Sequence, residues 1–580
     1  MIEATGAQIV VTLLERQGIK TVAGIPGGAV LPLYDELMKS DIDHILVRHE
    51  QGGGFFAQGM ARSTGETAVC IATSGPGAMN LLTAVADARS DSIPMVAITG
   101  QVNTYLIGTD AFQEADTFGL SFPITKHSIM VNSAEELLRA IPDAFRIAAS
   151  GRPGPVLVDI PRDIQLQKVR FDSWPEPGKG ERSGSRFHTS PENFGKILAE
   201  AARILVSSSR PVLYAGGGCA SPAASKGVRS LLEAMPMPVA TSLMGIGVIP
   251  TSDPQAMGMV GMHGSIAANR AMHDSDVVLA CGVRFDDRAT GVIKRFCPDA
   301  RIIHIDIDAA EINKILPAVL SLVADAESSL PVLARFVHDE LSSPAPYAAR
   351  AAERAEWLSR LAALHEEADR VPEADGADSA CSFIAGIPAA AERAGLDPSS
   401  IIVTTDVGQH QMWTAQHYPF ERTRQFLTSG SLGTMGFGLP TALGAAAANP
   451  DKRVVCVSGD GSIMMNIQEL ATLAERNYAV TVIVLDNGAL GMVRQQQEVL
   501  FDKRYSASVF SRSPDLLKIA EGFGIAIADA DDPDWAERAF ASSGPVFVVK
   551  KIRQAENVYP FVPAGKANVE AMTAPAAVLS

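Results

Sequence analysis

Short β-branched apolar runs alternate with longer stretches of helical period along most of the chain. HILVRHE, TAVCIATSG, IPMVAITG and PVLVDIPRD are strand-length, nearly continuously apolar, and end near Gly, Pro or Asp. That pattern predicts strands buried on both faces, the first of them running up to Glu50. Between them GGGFFAQGMARSTG and AMNLLTAVADARSD are helix-length. The opening TGAQIVVTLLERQGI repeats its apolar positions at helical spacing and predicts an amphipathic helix. Strands separated by helices imply an α/β fold of parallel sheets flanked by helices.

Two stretches break the rhythm. Residues 171–196 are rich in Pro, Gly, Ser and charge, and read as a linker. Residues 341–380 begin with SSPAP, pass through a charged helical pattern and end in VPEADGADSA. A chain of 580 residues exceeds what one core supports. The breaks divide it into three domains, 1–170, 195–340 and 375–550, each of ordinary size.

Charge and cysteine content narrow the class. A net charge of −16 leaves no basic surface for nucleic acid or an anionic membrane. No apolar run approaches the roughly 20 residues that span a bilayer. The six cysteines (Cys70, Cys219, Cys281, Cys297, Cys381, Cys456) show no CxxC pair and several sit in strand-like runs. Buried free thiols in a reducing compartment are expected, with no disulfide framework or zinc site. The N-terminus carries no leader pattern, so a cytoplasmic enzyme is expected.

The most specific chemistry lies in SGDGSIMMNIQELATLAERNYAVTVIVLDNGALG, residues 458–491. One buried strand delivers Asp460 to a Gly turn and a helix start; a second delivers Asn487. Ligands bind at such strand ends, and a helix N-terminus suits phosphate. Magnesium takes hard oxygens and shares them with phosphates and water. Asp460 offers a carboxylate, Asn487 an amide oxygen and Ala489 a backbone carbonyl. GDG or DNG alone is usually only a turn. In this order, across strand–helix–strand, they match the thiamine-diphosphate signature. In the first domain HILVRHEQGGG places Glu50 before a Gly-rich helix start. Alone it reads as a first-turn carboxylate favoured by the helix dipole. Beside the signature it becomes the carboxylate that would hydrogen-bond the coenzyme's aminopyrimidine ring.

The segments GIPGGAVLPLYDEL, HILVRHEQG, IATSGPGAMNLLTAVADA, DSIPMVAITGQV, IGTDAFQEAD, GRPGPVLVDIP, GMHG, RFDDRATG, HIDID, TTDVGQHQMW, GTMGFGLP and GMVRQQQE then appear in order over nearly the whole chain. Together they resemble the acetolactate synthase (acetohydroxyacid synthase) catalytic-subunit family. The resemblance implies pyrimidine-binding, central FAD-type and diphosphate-binding domains, with thiamine diphosphate, Mg²⁺ and FAD as cofactors. It assigns Glu50 to the pyrimidine, and Asp460, Asn487 and Ala489 to Mg²⁺. Gly408, Gln409 and His410, with Gly461 and Ser462, fall to the diphosphate, and Met435 to an apolar wedge under the coenzyme. Gly28, Phe112 and Gln113 would line the reaction centre from a partner subunit. Arg152, His263, Arg284, Asp306 and Asp325 match FAD-domain positions, and Arg284 is also placed for the carboxylate of the second keto acid. The implied reaction decarboxylates pyruvate and joins its two-carbon unit to a second 2-keto acid, giving 2-acetolactate for branched-chain amino-acid biosynthesis. A homodimer or homotetramer is implied, with a small regulatory subunit as a further partner.

Departures from the family pattern keep a rival open. Gln496 stands where the family usually has Trp, which would weaken preference for 2-ketobutyrate as acceptor. Arg162 replaces a common Lys, keeping charge but not geometry. Phe55 and Phe56 enlarge the helix face after Glu50, as repacking or as a change to the acceptor pocket. The alternatives are a related carboligase, decarboxylase or oxidase with another acceptor, or a catalytically dead subunit. Intact Glu50, Asp460 and Asn487 argue against the last.

Overall fold

The computed structural model describes residues 1–180, 190–342, 348–369 and 379–573. It contains three six-stranded sheets and one two-stranded pair. Parts of both expected connections (181–189, 343–347 and 370–378) lie outside the described residues.

The first sheet runs Asp43–Leu46, Thr21–Gly24, Ala68–Ala72, Met95–Gln101, Pro155–Pro161, His127–Met130, all parallel. The strands Ala68–Ala72 and Met95–Gln101 are buried throughout, as continuous apolar runs demand. The expected opening helix is present at Gly6–Arg16, started by a capping box between Thr5 and Gln8. A short strand, Ile2–Thr5, precedes it and pairs antiparallel with Lys168–Phe171. Sequence period alone does not reveal that pair, because its second strand lies far along the chain. The strand expected to end at Glu50 stops at Leu46, and Glu50 is instead the first residue of the helix Glu50–Thr64. His49 caps that helix: its Nδ1 accepts from the Gln51 N–H at 3.2 Å, which satisfies one orphan donor of the first turn.

The second sheet, Ala256–Met259, Val239–Thr241, Pro211–Ala215, Val277–Cys281, Arg301–Asp306, Leu320–Val323, is also parallel. Its first helix, Pro191–Val206, is capped by Ser190 and begins inside the stretch read as linker. The third sheet runs Phe426–Leu427, Ile402–Thr405, Val454–Gly459, Val480–Asp486, Val546–Lys551, Ala526–Asp529. Beyond it the chain returns to the middle unit, beside the second sheet. Val562 N–H donates to Met262 O at 2.8 Å, and Asn568 Nδ2 donates to Ala289 O at 2.7 Å.

The first and third units meet through the helices Glu50–Thr64 and Gly438–Ala448. A Cβ on Gly59 would stand 2.1 Å from Thr441 O, and one on Gly444 1.8 Å from Phe56 O. Only glycine permits that approach. Phe55 and Phe56 are fully buried at this seam, and the Phe55 ring meets Phe437 edge-on at 5.2 Å. Their bulk is therefore interior packing between domains. All six cysteines are free, and all but Cys381 are fully buried. Among the described residues no helix is long and apolar enough to cross a membrane.

Candidate active site

In the third unit the parallel strands deliver their chemistry to one end. Val454–Gly459 leads straight into the short helix Asp460–Ile463. Asp460 is buried and its Oδ2 has no hydrogen-bond partner. Burial, with Asp486 beside it, raises its carboxyl to about 7. A buried carboxylate oxygen left unpaired in a polar pocket suits a cation. Val480–Asp486 delivers Asn487, whose Oδ1 accepts from Ala489 N–H at 3.0 Å. Its Nδ2 donates to Gln409 Oε1 at 3.2 Å, so the amide oxygen is oriented away from Gln409. Gly491 makes this possible, since a Cβ there would lie 2.1 Å from Gln409 Oε1.

Gly408 starts the helix Gln409–His417, whose first N–H groups face the same pocket. Burial pushes the His410 imidazole down to about 3, so it is neutral, and its Nε2 lacks a partner. Ser462 Oγ accepts from Gly459 N–H at 3.1 Å. Met435 is half-buried and lines the pocket on a loop pinned by Asp406, which accepts from the N–H groups of Gly436 (2.8 Å) and Gly438 (3.2 Å). The orphan Asp460 oxygen, the unpartnered His410 nitrogen and the crowded glycines fit a metal diphosphate. Asp460, Asn487 and Ala489 are the groups that would hold the metal.

The middle unit lines the same cavity, which has a volume of about 1210 Å³. Single-ligand pockets run to about 1,000 Å³, so there is room for more than one. Its turns cross closely: a Cβ on Gly218 would lie 2.6 Å from the Cα of Gly282. His263 is buried with Nδ1 unpartnered, held down to about 4 by desolvation, and its ring lies 5.5 Å from Phe561. Arg152 bridges units: its Nη1 donates to Asp308 (3.1 Å) and Glu311 (2.7 Å), and Nε to Ser92 (2.8 Å). Burial lifts Asp306 to about 7; its Oδ1 accepts from Asp308 N–H at 2.8 Å. Asp325 Oδ1 accepts from Glu327 N–H at 3.0 Å. Arg284 Nη1 donates to Ser90 O at 2.6 Å, and Nη2 to Ser431 Oγ. Gly-rich turns and an unpaired buried imidazole fit a flavin nucleotide.

The first unit collects its residues around the turn Thr73–Gly77. Glu50 Oε2 accepts from Asn80 Nδ2 at 3.0 Å, and a Cβ on Gly77 would lie 3.2 Å from Glu50 Oε1. Gln113, at φ 60°, packs against Gly75, and Gly27 next to Gly28 packs against Thr73. Phe112 is 89% exposed. Glu50, Gly28, Phe112 and Gln113 are thus brought together, yet none lines the cavity that Asp460 and Arg284 share. Gln496 does line it, from an exposed position, whereas Arg162 is exposed at the helix Arg162–Leu166 outside it.

Some contributors escaped the motif reading. Gln495 is fully buried and its Oε1 accepts from Gln409 Nε2 at 3.0 Å, fixing the residue that orients Asn487. Glu469 Oε1 accepts from the N–H groups of Arg48 (2.9 Å) and His49 (3.0 Å), so the third unit holds the turn that presents Glu50. The adjacent letters in QQQE and NIQEL carry this signal, but burial separates Gln495 from Gln496.

Comparison with known proteins agrees with this geometry. Residues 4–120 match the thiamine pyrophosphate enzyme N-terminal TPP binding domain, 198–333 the central domain, and 406–549 the C-terminal TPP binding domain. The acetolactate synthase isozyme 1 large subunit of Escherichia coli K12 is 46% identical over 98% of this chain and 97% of its own length. The isozyme 2 large subunit of the same strain is 44% identical over 97% and 98%. The acetolactate synthase large subunit of Corynebacterium glutamicum is 43% identical over 97% and 89%. This chain belongs to the acetolactate synthase large-subunit family. It is a thiamine-diphosphate-dependent α/β enzyme that transfers aldehyde residues, and the rival readings of another thiamine enzyme or a dead subunit are not favoured.

Proposed function

We propose that this chain is an acetolactate synthase catalytic subunit, which decarboxylates pyruvate and condenses the two-carbon unit with a second 2-keto acid to give 2-acetolactate. It belongs to branched-chain amino-acid biosynthesis and acts in the cytoplasm, consistent with six free thiols. The observation that carries this reading is the single cavity joining Asp460 and Asn487 to Arg284. It provides a diphosphate-metal end and, beside it, a cation for a carboxylate acceptor.

Bound thiamine diphosphate supplies the electron sink for loss of CO₂. Asp460, Asn487 and Ala489 hold Mg²⁺ against its diphosphate. Gly408, Gln409, His410, Gly461 and Ser462 surround that group, with His410 acting as a neutral donor. Met435, on its pinned loop, would give the coenzyme an apolar support. Glu50 would hydrogen-bond the aminopyrimidine ring of the coenzyme and hold it in place for proton transfer. Gly28, Phe112 and Gln113 close the reacting end and exclude water. Arg152, His263, Arg284, Asp306 and Asp325 surround FAD, which does no net redox work here.

Because Glu50, Phe112 and Gln113 lie outside the cavity, a second copy completes each site, giving a homodimer or a homotetramer built from it. The relatives are named large subunits, which supports a small regulatory subunit as a further partner. Gln496 at the cavity favours pyruvate over 2-ketobutyrate as acceptor.

The test gives purified protein pyruvate with thiamine diphosphate, Mg²⁺ and FAD, and assays acetolactate directly. Acetolactate that disappears on Glu50→Gln supports the reading. CO₂ release without acetolactate sinks it in favour of a decarboxylase.

A further inference from the structure

A buried ionic clasp joins the first and third units at the edge of the cavity, and nothing in the mechanism above uses it. Arg62, on the Glu50 helix, donates from Nη2 to Asp87 Oδ1 (3.1 Å) and Asp91 Oδ2 (2.9 Å), and from Nη1 to Thr428 O (2.9 Å). Arg62 is 3% exposed at the side chain, and both aspartates are fully buried. Asp91 also accepts from the N–H groups of Gly430 (2.8 Å) and Ser431 (2.9 Å), while Asp87 accepts from Thr434 Oγ1 at 2.9 Å and from Ser429. The loop 428–435, which ends at Met435, is therefore bound to the first unit through one carboxylate pair.

This arrangement runs against local preference. Asp87 lies in the last turn of the helix Pro76–Ser90 and Asp91 is its C-cap, where the dipole disfavours negative charge. Ser92, next in sequence, sits at φ 62°, in the left-handed region. Broken local rules held in place by buried partners mark a position kept for another purpose. That purpose is legible in Arg284. Its two hydrogen bonds go to Ser90 O and Ser431 Oγ. Ser90 is the chain neighbour of Asp91, and Ser431 is hydrogen-bonded to the Asp91 carboxylate. Asp91 thus fixes the backbone of Ser431, whose Oγ also reaches Ser90 O at 3.4 Å, so the two supports of Arg284 are joined at Ser431. Arg284 itself follows the strand Val277–Cys281 and precedes Phe285, a buried residue at φ 52°. The guanidinium keeps its Nε–H and further N–H groups for a carboxylate.

We propose that Asp91, acting through Ser90 and Ser431, is the positioning residue that aims Arg284 at the carboxylate of the acceptor keto acid. This rests on the acetolactate synthase reading. If the aim is lost, capture by the acceptor slows while CO₂ loss continues. The two-carbon unit then leaves as acetaldehyde: pyruvate and one proton give acetaldehyde and CO₂, with no oxidant required.

The experiment uses the holoenzyme with Ser431→Ala, which removes one exposed hydroxyl and leaves the buried clasp, alongside Asp91→Asn and Ser431→Thr. Acetaldehyde and acetohydroxy acid are both quantified at saturating pyruvate while 2-ketobutyrate is raised. A carboxylate-free aldehyde acceptor serves as the second series. Loss of one charged hydrogen bond is expected to raise the keto-acid concentration that half-suppresses acetaldehyde roughly ten-fold in Ser431→Ala, and further in Asp91→Asn. Ser431→Thr restores it, and the aldehyde acceptor is captured as in the unsubstituted enzyme. An equal loss for both acceptors, or an unchanged keto-acid response in a variant whose melting temperature is preserved, overturns the positioning role. Unsubstituted enzyme that makes no acetolactate overturns the underlying reading, and the acceptor role with it.

Discussion

The third unit and the first solve the same structural problem in opposite ways. Both bring residues to the C-terminal ends of a six-stranded parallel sheet. In the third unit Asp460, Asn487, Ala489 and His410 converge on a large cavity, with an oxygen of Asp460 and a nitrogen of His410 left unpaired. In the first, Glu50, Gly28 and Gln113 gather round Thr73–Gly77, but Phe112 stands 89% exposed and none of the four lines that cavity. The residues of the third unit face a cavity, and those of the first lie outside it. Equivalent sheet positions therefore do not make equivalent arrangements, and what differs is whether another part of this chain stands opposite them.

The largest effect tests that division directly. Glu50→Gln and Asp460→Asn are each expected to lower turnover by at least about 10²-fold. Mixed dimers of the two would hold one site with both residues intact. Refolding or co-expressing them together should then restore about a quarter of normal activity, by random pairing in a two-fold assembly. A mixture as inactive as its components would place the whole site within one chain.

Next in size is the buried amide relay of the third unit. Gln495→Leu removes one of the two acceptors of Gln409 Nε2, leaving Glu556 O at 2.9 Å, and loosens the hold on Asn487. Binding of thiamine diphosphate with Mg²⁺, followed by quenching of intrinsic fluorescence, should weaken roughly 10–100-fold, as when groups that orient metal ligands are lost. Unaltered binding would show that Asn487 keeps its orientation without the relay.

A smaller change is expected where Gln496 meets the cavity. Gln496→Trp adds apolar contact surface and should raise the acetohydroxybutyrate-to-acetolactate ratio on the order of ten-fold in a mixed-substrate assay. A ratio that stays level moves acceptor choice away from this residue, to groups nearer Arg284.

The smallest effect belongs to the first unit. Asp159, buried beneath the loop that carries Phe112, accepts from Thr99 Oγ1 (2.7 Å) and Gln101 Nε2 (3.1 Å). Burial raises its carboxyl from an ordinary 3.8 to about 7. Between these values the folded chain holds a proton that the unfolded chain has released. Its contribution to stability is therefore present at low pH and lost as pH rises toward 7. Asp159→Asn should flatten the fall in melting temperature from pH 5 to pH 8 without displacing the metal site. A slope identical to that of the unsubstituted protein would assign the pH dependence to other groups, such as Asp306.

The strands and helices named from the sequence were legible because continuous apolar runs and helical spacing are local signals. The motif around Asp460 and Asn487 was legible for the same reason: strand, turn and helix are consecutive there. Sequence period did not place Glu50 correctly, since HILV and the capping residue His49 form one unbroken string while the strand ends at Leu46. Nor did it reveal the pair Ile2–Thr5 with Lys168–Phe171, or the return of residues 552–573 to the middle unit.

By itself, then, the sequence determined the class of fold and the dependence on thiamine diphosphate, and named candidates to hold a metal diphosphate. Tertiary structure decided which of them share a cavity. It made Phe55 and Phe56 packing at a glycine-lined seam, and tied Arg284 to Asp91 through Ser90 and Ser431. The physical reason is range. Hydrophobic period and turn chemistry act over a few residues, whereas Asp87 and Asp91 are held by segments more than 300 positions away and Gln495 by residues 63 and 86 positions away.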